Sequence, residues 1–320
     1  MGREELTLST TGGHLWDRVH KAIADALANL HGGPYRFRLG GGTTLAARWE
    51  HRDSFDLDLA VSRDVPLRDL AEPGNRFRQT MEDLGGTATY HERQWIIEFD
   101  AGEVDLVQLS PIPPGAEREA LVNGHPAMVL DSSQILHGKL ERADDVLVRD
   151  VFDLIKANEH DPKALATAVN CRSRYDTEVT ALTLEHADAT LERDARTQLV
   201  GAGEIDDPAT LGTQAGATLR GAVYRHVAIW TEGEQALIEC RTASDAIYRT
   251  AVAPGEIDRT LDESGVGHYL GASAFGASRI REALHDACRT GVGHQKVWAS
   301  GTAPPAVTDR RPGRTQDPDR

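Results

Sequence analysis

The sequence predicts an α+β fold, a mixed sheet flanked by helices followed by a mainly helical C-terminal region. Three observations carry this. Residues 35–61, YRFRLGGGTTLAARWEHRDSFDLDLAV, read as strand, glycine turn, helix and strand. Residues 87–109 hold three short alternating runs, the last two joined by the turn Asp100-Ala101-Gly102 as a hairpin. From Pro162 onward the apolar spacing is mostly helical.

The elements follow in order. His14 to Leu30 is an amphipathic helix with the stripe Leu15, Val19, Ile23, Leu27 and Leu30, and His31-Gly32-Gly33-Pro34 ends it. Tyr35, Phe37 and Leu39 alternate with Arg36 and Arg38, as in a strand. Gly40, Gly41 and Gly42 allow backbone conformations closed to other residues. Thr43 is read as the N-cap of a helix carrying Leu45, Ala46 and Trp49. Phe55 to Val61 is the next strand, with Asp56 and Asp58 on one face and Leu57, Leu59 and Val61 on the other. Asn75 to Leu84 is a helix, and Ser110 to Gly124, rich in Pro and Gly, is a linker. A short strand, Pro126 to Asp131, leads to a helix carrying Lys139, and Arg149 to Asn158 forms another. Beyond that, Arg174 to Leu199, Ser244 to Val252, Pro254 to Glu263 and Ala277 to Thr290 read as helices. Leu211 to Trp230 reads as helix, with strand as an alternative for Tyr224 to Trp230, and Gln235 to Cys240 is ambiguous in the same way. The expected domains are 1–125, 126–300 and a disordered tail over 301–320, rich in Pro, Arg and Asp.

The chemistry suggested is metal-dependent. Asp56 and Asp58 point the same way and repel each other, and an oxygen-seeking dication such as magnesium relieves that repulsion. A glycine turn opening a helix offers N–H groups and a positive dipole end to an anion. The order strand, Gly-rich turn, helix, D-x-D strand thus sets a phosphate cradle beside a metal site. Each motif alone is common, and the turn lacks the GK[ST] ending of a P-loop. Asp105 lies among apolar residues in Glu103-Val104-Asp105-Leu106-Val107, where a carboxylate costs free energy unless paired or metal-bound. Asp105 on the solvated face of its strand is the competing reading.

These residues resemble a family. The pattern G-G-T-x-L followed by R-x-S-x-D-x-D, here Gly41, Gly42, Thr43, Leu45, Arg52, Ser54, Asp56 and Asp58, resembles the polymerase β-like nucleotidyltransferase fold. More narrowly it resembles the AbiEii-type (MenT-like) toxins of type IV toxin–antitoxin systems. A second block, HGKLERADDVLVRDVFDL, is similar to the family's K-L-x-A…R-D-x-x-D-L element and supplies Lys139, Arg149, Asp150 and Asp153. Gly40 is an extra glycine, Arg142 stands where the pattern has alanine, and the spacer between Lys139 and Arg149 is slightly short.

The resemblance implies an enzyme that transfers a nucleotide from a nucleoside triphosphate to an acceptor, with magnesium or manganese as cofactor and pyrophosphate as product. Asp56 and Asp58 would hold metal, with Asp105 as third carboxylate and Glu103 and Glu98 behind it. Gly41, Gly42 and Thr43 would hold the β and γ phosphates and Lys139 would add positive charge. Arg149 and Asp150 would orient Lys139 or contact the nucleotide. Ser54 falls two residues before Asp56. Its phosphorylation would place negative charge beside the metals and silence the enzyme, whereas the plainer role is a hydroxyl bonded to nearby backbone. The implied acceptor is RNA, notably the tRNA 3′ end, and the implied protein partner a cognate antitoxin. A small-molecule acceptor, or a catalytically idle nucleotide- or partner-binding module, are the alternatives.

Composition narrows the classes. A net charge of −15 argues against nonspecific nucleic-acid binding through overall attraction, though Arg36, Arg38, Arg48, Arg52, Arg76, Arg78, Lys139 and Arg149 could form a local basic patch. Cys171, Cys240 and Cys288 are widely spaced, so neither a zinc site nor a disulfide framework is indicated. No apolar run approaches a membrane span and no signal-peptide core is evident, so the expected location is cytoplasmic, without a membrane partner.

Overall fold

The computed structural model describes residues 3–109, 117–142, 147–199, 201–202, 207–232, 235–263, 266, 274–290 and 296–299. The chain divides into two compact units, Met1–Ala164 with Thr183–Ala215, and Leu165–Leu182 with Gly216–Arg320. The expected α+β class with a mixed sheet and flanking helices is what the structure has.

The first unit holds β1 (Glu4–Leu6), α1 (Thr10–His31), β2 (Arg38–Leu39), α2 (Gly41–Trp49), β3 (Leu57–Ser62), α3 (Phe77–Asp83), β4 (Thr87–His91), β5 (Gln94–Phe99), β6 (Gly102–Leu109), β7 (Glu117–Val122), β8 (His125–Leu130), α4 (Ser132–Glu141) and α5 (Val148–His160). Its eight strands run β1-β7-β8-β2-β3-β6-β5-β4. Pairing of β3 with β6 and of β2 with β8 is parallel, while β2–β3, β5–β6 and β4–β5 are antiparallel. Ser9 caps α1 by accepting from Gly12 N–H, and Gly32 ends it in a left-handed conformation. The α1 stripe Leu15, Trp16, Val19, Ile23 and Leu27 joins Leu57, Leu59, Val61, Val104 and Leu106 in one core. Alternation therefore turns Asp58 and Asp105 to the sheet's opposite face.

Two expectations fail here. The segment read as a linker contributes β7, which pairs with both β1 and β8, while residues 110–116 lie outside the described residues. The boundary expected near 125 falls inside the eight-stranded sheet, because β8 is an interior strand.

Then come α6 (Pro162–Asn170), α7 (Arg174–His186), α8 (Asp188–Gln198) and α9 (Leu211–Ala222); the long helix expected over 174–199 is broken at Ala187. The second unit carries β9 (Tyr224–Glu232), β10 (Gln235–Thr242), β11 (Ile247–Val252), α10 (Ile257–Glu263), α11 (Ala274–Thr290) and β12 (Lys296–Ala299). Its sheet is ordered β11-β10-β9-β12 and is antiparallel throughout. The C-terminal region thus adds a four-stranded sheet to its helices. Ala236, Ile238, Cys240 and Val252 alternate inward on its strands and meet Ile280, Leu284 and Ala287 of α11. Residues 244–252, expected as helix, form a tight turn and β11. The tail from 301 lies outside the described residues.

Candidate active site

The site lies in the first unit, where α2 leaves β2. Gly40, not Thr43, is the N-cap, and its N–H donates to Asp58 O at 2.9 Å. Gly41 follows with φ of +62°, and a Cβ there would stand 1.6 Å from Asp58 Oδ2. Only glycine admits both the backbone and the carboxylate. A Cβ on Gly42 would stand 2.3 Å from Arg52 Nη2. The triple glycine is therefore a close-packing device: one glycine receives Asp58, the next an arginine.

Thr43 is buried, 2% exposed. Its hydroxyl meets Ser54 Oγ at 2.8 Å and donates to Asp56 O. It ties the segment before β3 to the first turn of α2 and does not face a ligand, contrary to the phosphate-binding role the resemblance implied. Ser54 is likewise buried, 4% exposed, and lies three residues before β3, so it does not share the strand face of Asp58. The structure gives its hydroxyl the local bonding role.

The carboxylates cluster. Asp58 on β3 is in register with Asp105 on the parallel neighbour β6. Asp56 precedes β3, accepts from Glu103 N–H at 3.3 Å through Oδ1, and meets Arg149 Nη1 at 2.8 Å through Oδ2. Glu103 shares the Asp105 face of β6, and Glu98 lies opposite Glu103 on β5. Burial raises Asp58 above the usual carboxylate range, with Asp56 and Asp150 adding to the rise against Lys139 and Arg142. Burial, then Glu103, Asp58 and Asp56, push Asp105 up to about 7. Asp105 Oδ1 is buried without a hydrogen-bond partner. Such a group calls for a proton or a cation. Hard oxygen donors with mutually raised proton affinity suit magnesium or manganese. Among the described residues, however, no three His, Cys, Asp or Glu side chains are gathered into a ready metal-holding group.

Behind this cluster lies a buried ionic network. Asp153 on α5, 0% exposed, takes Arg52 Nε at 2.8 Å and Nη2 at 2.9 Å, His51 Nε2 at 2.7 Å and Lys139 Nζ at 3.0 Å. Lys139 on α4, 4% exposed, also donates to Asp150. Asp150 and Asp153 share a helix face, as their spacing predicts, and that face is filled by the Lys139 ammonium. Burial alone would lower Lys139, but Asp153 and Asp150 raise it. The implied role of Lys139 as an outward charge for a triphosphate is not what this arrangement gives; it is a buried post joining α4 to α5. His51, which stacks near Phe152 and Trp49, was not singled out from the sequence. Its partner Asp153 is 102 residues away, and no local signal connects them.

The expected basic patch is largely neutralised. Arg36 pairs with Glu119, Arg38 with Glu117, Arg48 with Glu4, Arg52 with Asp153 and Arg149 with Asp56. Arg78 lies over the Trp95 ring.

A pocket of about 270 Å³ opens beside the acids, bounded by Gly40, Gly41 and Asp58 on one side and by Ile135, Gly138 and Arg142 on the other. It joins the α2 turn, the β3 carboxylate and the C-terminal end of α4. No protein-family model, curated protein or solved structure matches this chain. Among the described residues no helix is long and apolar enough to cross a membrane.

Proposed function

We propose that the chain is a metal-dependent nucleotidyltransferase that moves a nucleotide from a nucleoside triphosphate to an acceptor and releases pyrophosphate. The observation that carries this reading is Asp58, which lies against Gly41 at the start of α2 and in register with the unpartnered Asp105. Asp56, Asp58 and Asp105 are the residues that would hold magnesium or manganese. Bound there, the cation would supply charge neutralisation to the phosphates and a lower pKa to the acceptor hydroxyl. The first-turn N–H groups of Gly41 and Gly42 offer donors to an anionic oxygen. The 270 Å³ pocket gives the nucleotide a partly apolar wall. The resemblance to AbiEii-type toxins supports RNA, in particular a tRNA 3′ end, as the acceptor, and an antitoxin as a controlling partner.

A small-molecule acceptor is the second reading. What favours it is the net charge of −15 together with the pairing of Arg36, Arg38 and Arg48 to glutamates, which leaves little exposed positive surface there for a polyanion. Incubation with α-labelled triphosphates, total tRNA, a small-molecule extract and magnesium separates the two by the fraction that takes up label. In either case Asp56→Ala and Asp58→Asn reduce transfer to background. Transfer at full rate by both variants refutes the assigned site.

A further inference from the structure

We infer that Arg142, at the end of α4, is the side chain that grips the phosphate groups of the bound nucleotide. This deepens the nucleotidyltransferase reading and rests on it. The basis is a census of cations around the pocket. Lys139 is enclosed by Asp150 and Asp153 and is 4% exposed. Arg52 is held by both oxygens of Asp153. Arg149 is engaged with Asp56. Among the described residues that line the 270 Å³ pocket, Arg142 is the one cation.

Its state differs from that of the others. The Arg142 side chain is 58% exposed, and its bond to Asp150 Oδ2 is 3.5 Å long, the far limit for a hydrogen bond. Most of its donor fork is therefore open to a ligand. It stands at the C-terminal end of α4, where the helix dipole favours a cation. It lines the same pocket as Asp58. A planar guanidinium matches phosphate oxygens in pairs, which an ammonium does not. Glu141 also lines the pocket and would repel phosphate, but its side chain is 66% exposed and leans to His137, with Oε1 at 3.5 Å from Nε2. The arrangement puts an anionic phosphate chain between Asp58, at the edge of the acid cluster, and Arg142. A position that reads as a departure from the family pattern thereby takes over the charge that buried Lys139 cannot present.

The test is equilibrium binding to the full chain in magnesium, without turnover. The probes are the α,β-methylene analogues of ATP, CTP, GTP and UTP, and the four matching monophosphates. Wild type is expected to prefer at least one triphosphate analogue over its monophosphate. Arg142→Gln should weaken that analogue roughly 10- to 100-fold while shifting the monophosphate by less than about twofold. Arg142→Lys should restore part of the loss, since it keeps the charge but not the fork. Because the side chain is exposed, the thermal midpoint of Arg142→Gln should stay within about 2 °C of wild type. Wild-type affinity in Arg142→Gln, or an equal loss for triphosphate and monophosphate, overturns the assignment while leaving the nucleotidyltransferase reading intact. Failure of wild type to bind any triphosphate analogue sinks both.

Discussion

Removing the charge of Asp153 tests whether the ionic network under the site is what holds α2, α4 and α5 together. The side chain is 0% exposed and takes four contacts from three partners: two from Arg52, one from the Lys139 ammonium and one from the His51 ring. Burial alone would raise its carboxyl, but Lys139, His51 and Arg52 override burial and hold it well below the usual carboxylate range. Asp153→Asn keeps the shape and removes the charge. Arg52 and Lys139 then remain buried with insufficient counter-charge, and the new amide N–H₂ confronts donors already there. Breaking a buried pair in this way costs about 3–5 kcal/mol. With a urea slope near 2 kcal/mol/M, the midpoint falls by about 2 M. The assay is urea unfolding followed by circular dichroism and tryptophan fluorescence, with Trp49, whose ring centroid is 5.5 Å from that of His51, as the nearby reporter. The pH dependence has a fixed sign. A depressed carboxyl contributes stability above its unfolded pKa and loses it as pH falls toward the folded one. The gap between wild type and Asp153→Asn should therefore be flat from about pH 8 to pH 5 and close only below about pH 4. An unchanged urea midpoint refutes the network as a structural support and returns Lys139 to the list of ligand-facing cations.

Two further predictions follow from the acids and the glycine turn. Asp105 has the opposite linkage. Its pKa is raised from 3.8 to about 7, so its ionisation costs folding free energy that grows as pH rises across that interval and is absent below it. Asp105→Asn should gain about 1–2 kcal/mol over wild type at pH 8 after allowing for its partial exposure, and the two should converge near pH 4. Parallel thermal-stability profiles from pH 4 to 8 would contradict this. Gly41→Ala should lose transfer activity, because its Cβ would stand 1.6 Å from Asp58 Oδ2. Gly32→Ala is the control: its φ is +76°, with nothing within 4 Å of the added carbon. Both substitutions carry backbone strain of about 1–3 kcal/mol. Only Gly41→Ala should lower activity beyond that shared stability loss, and equal activity in the two variants would refute the close-packing account.

The parts of the fold legible in the sequence are those with a strong local period. The α1 stripe, the alternation of β3 and the β5–β6 hairpin all bury large side chains at fixed spacing, and each is where the pattern puts it. The second sheet was only partly legible: strand was an open reading for the runs that form β9 and β10, whereas β11 was read as helix. A single apolar run of this length does not separate strand from helix by periodicity. In the site, the pairing of Asp58 with Gly41 was readable, since two spacings and a glycine run constrain it. Thr43, Ser54 and Lys139 were misassigned for one common reason. A polar residue's type says that it must be satisfied when buried, but not by whom. Thr43 and Ser54 satisfy each other, and Lys139 is satisfied from α5.

That same requirement orders the site. Burying Lys139 between two aspartates leaves α4 and α5 fixed but gives the pocket no charge from either partner. On the proposed reading, the charge that meets phosphate must then come from a residue that burial has not claimed. Arg142 meets this condition at the exposed end of the helix whose buried side carries Lys139. Separation of the cation that holds the helices from the cation that faces the pocket is a consequence of charge burial. Lys139 cannot turn to the pocket without giving up both Asp150 and Asp153.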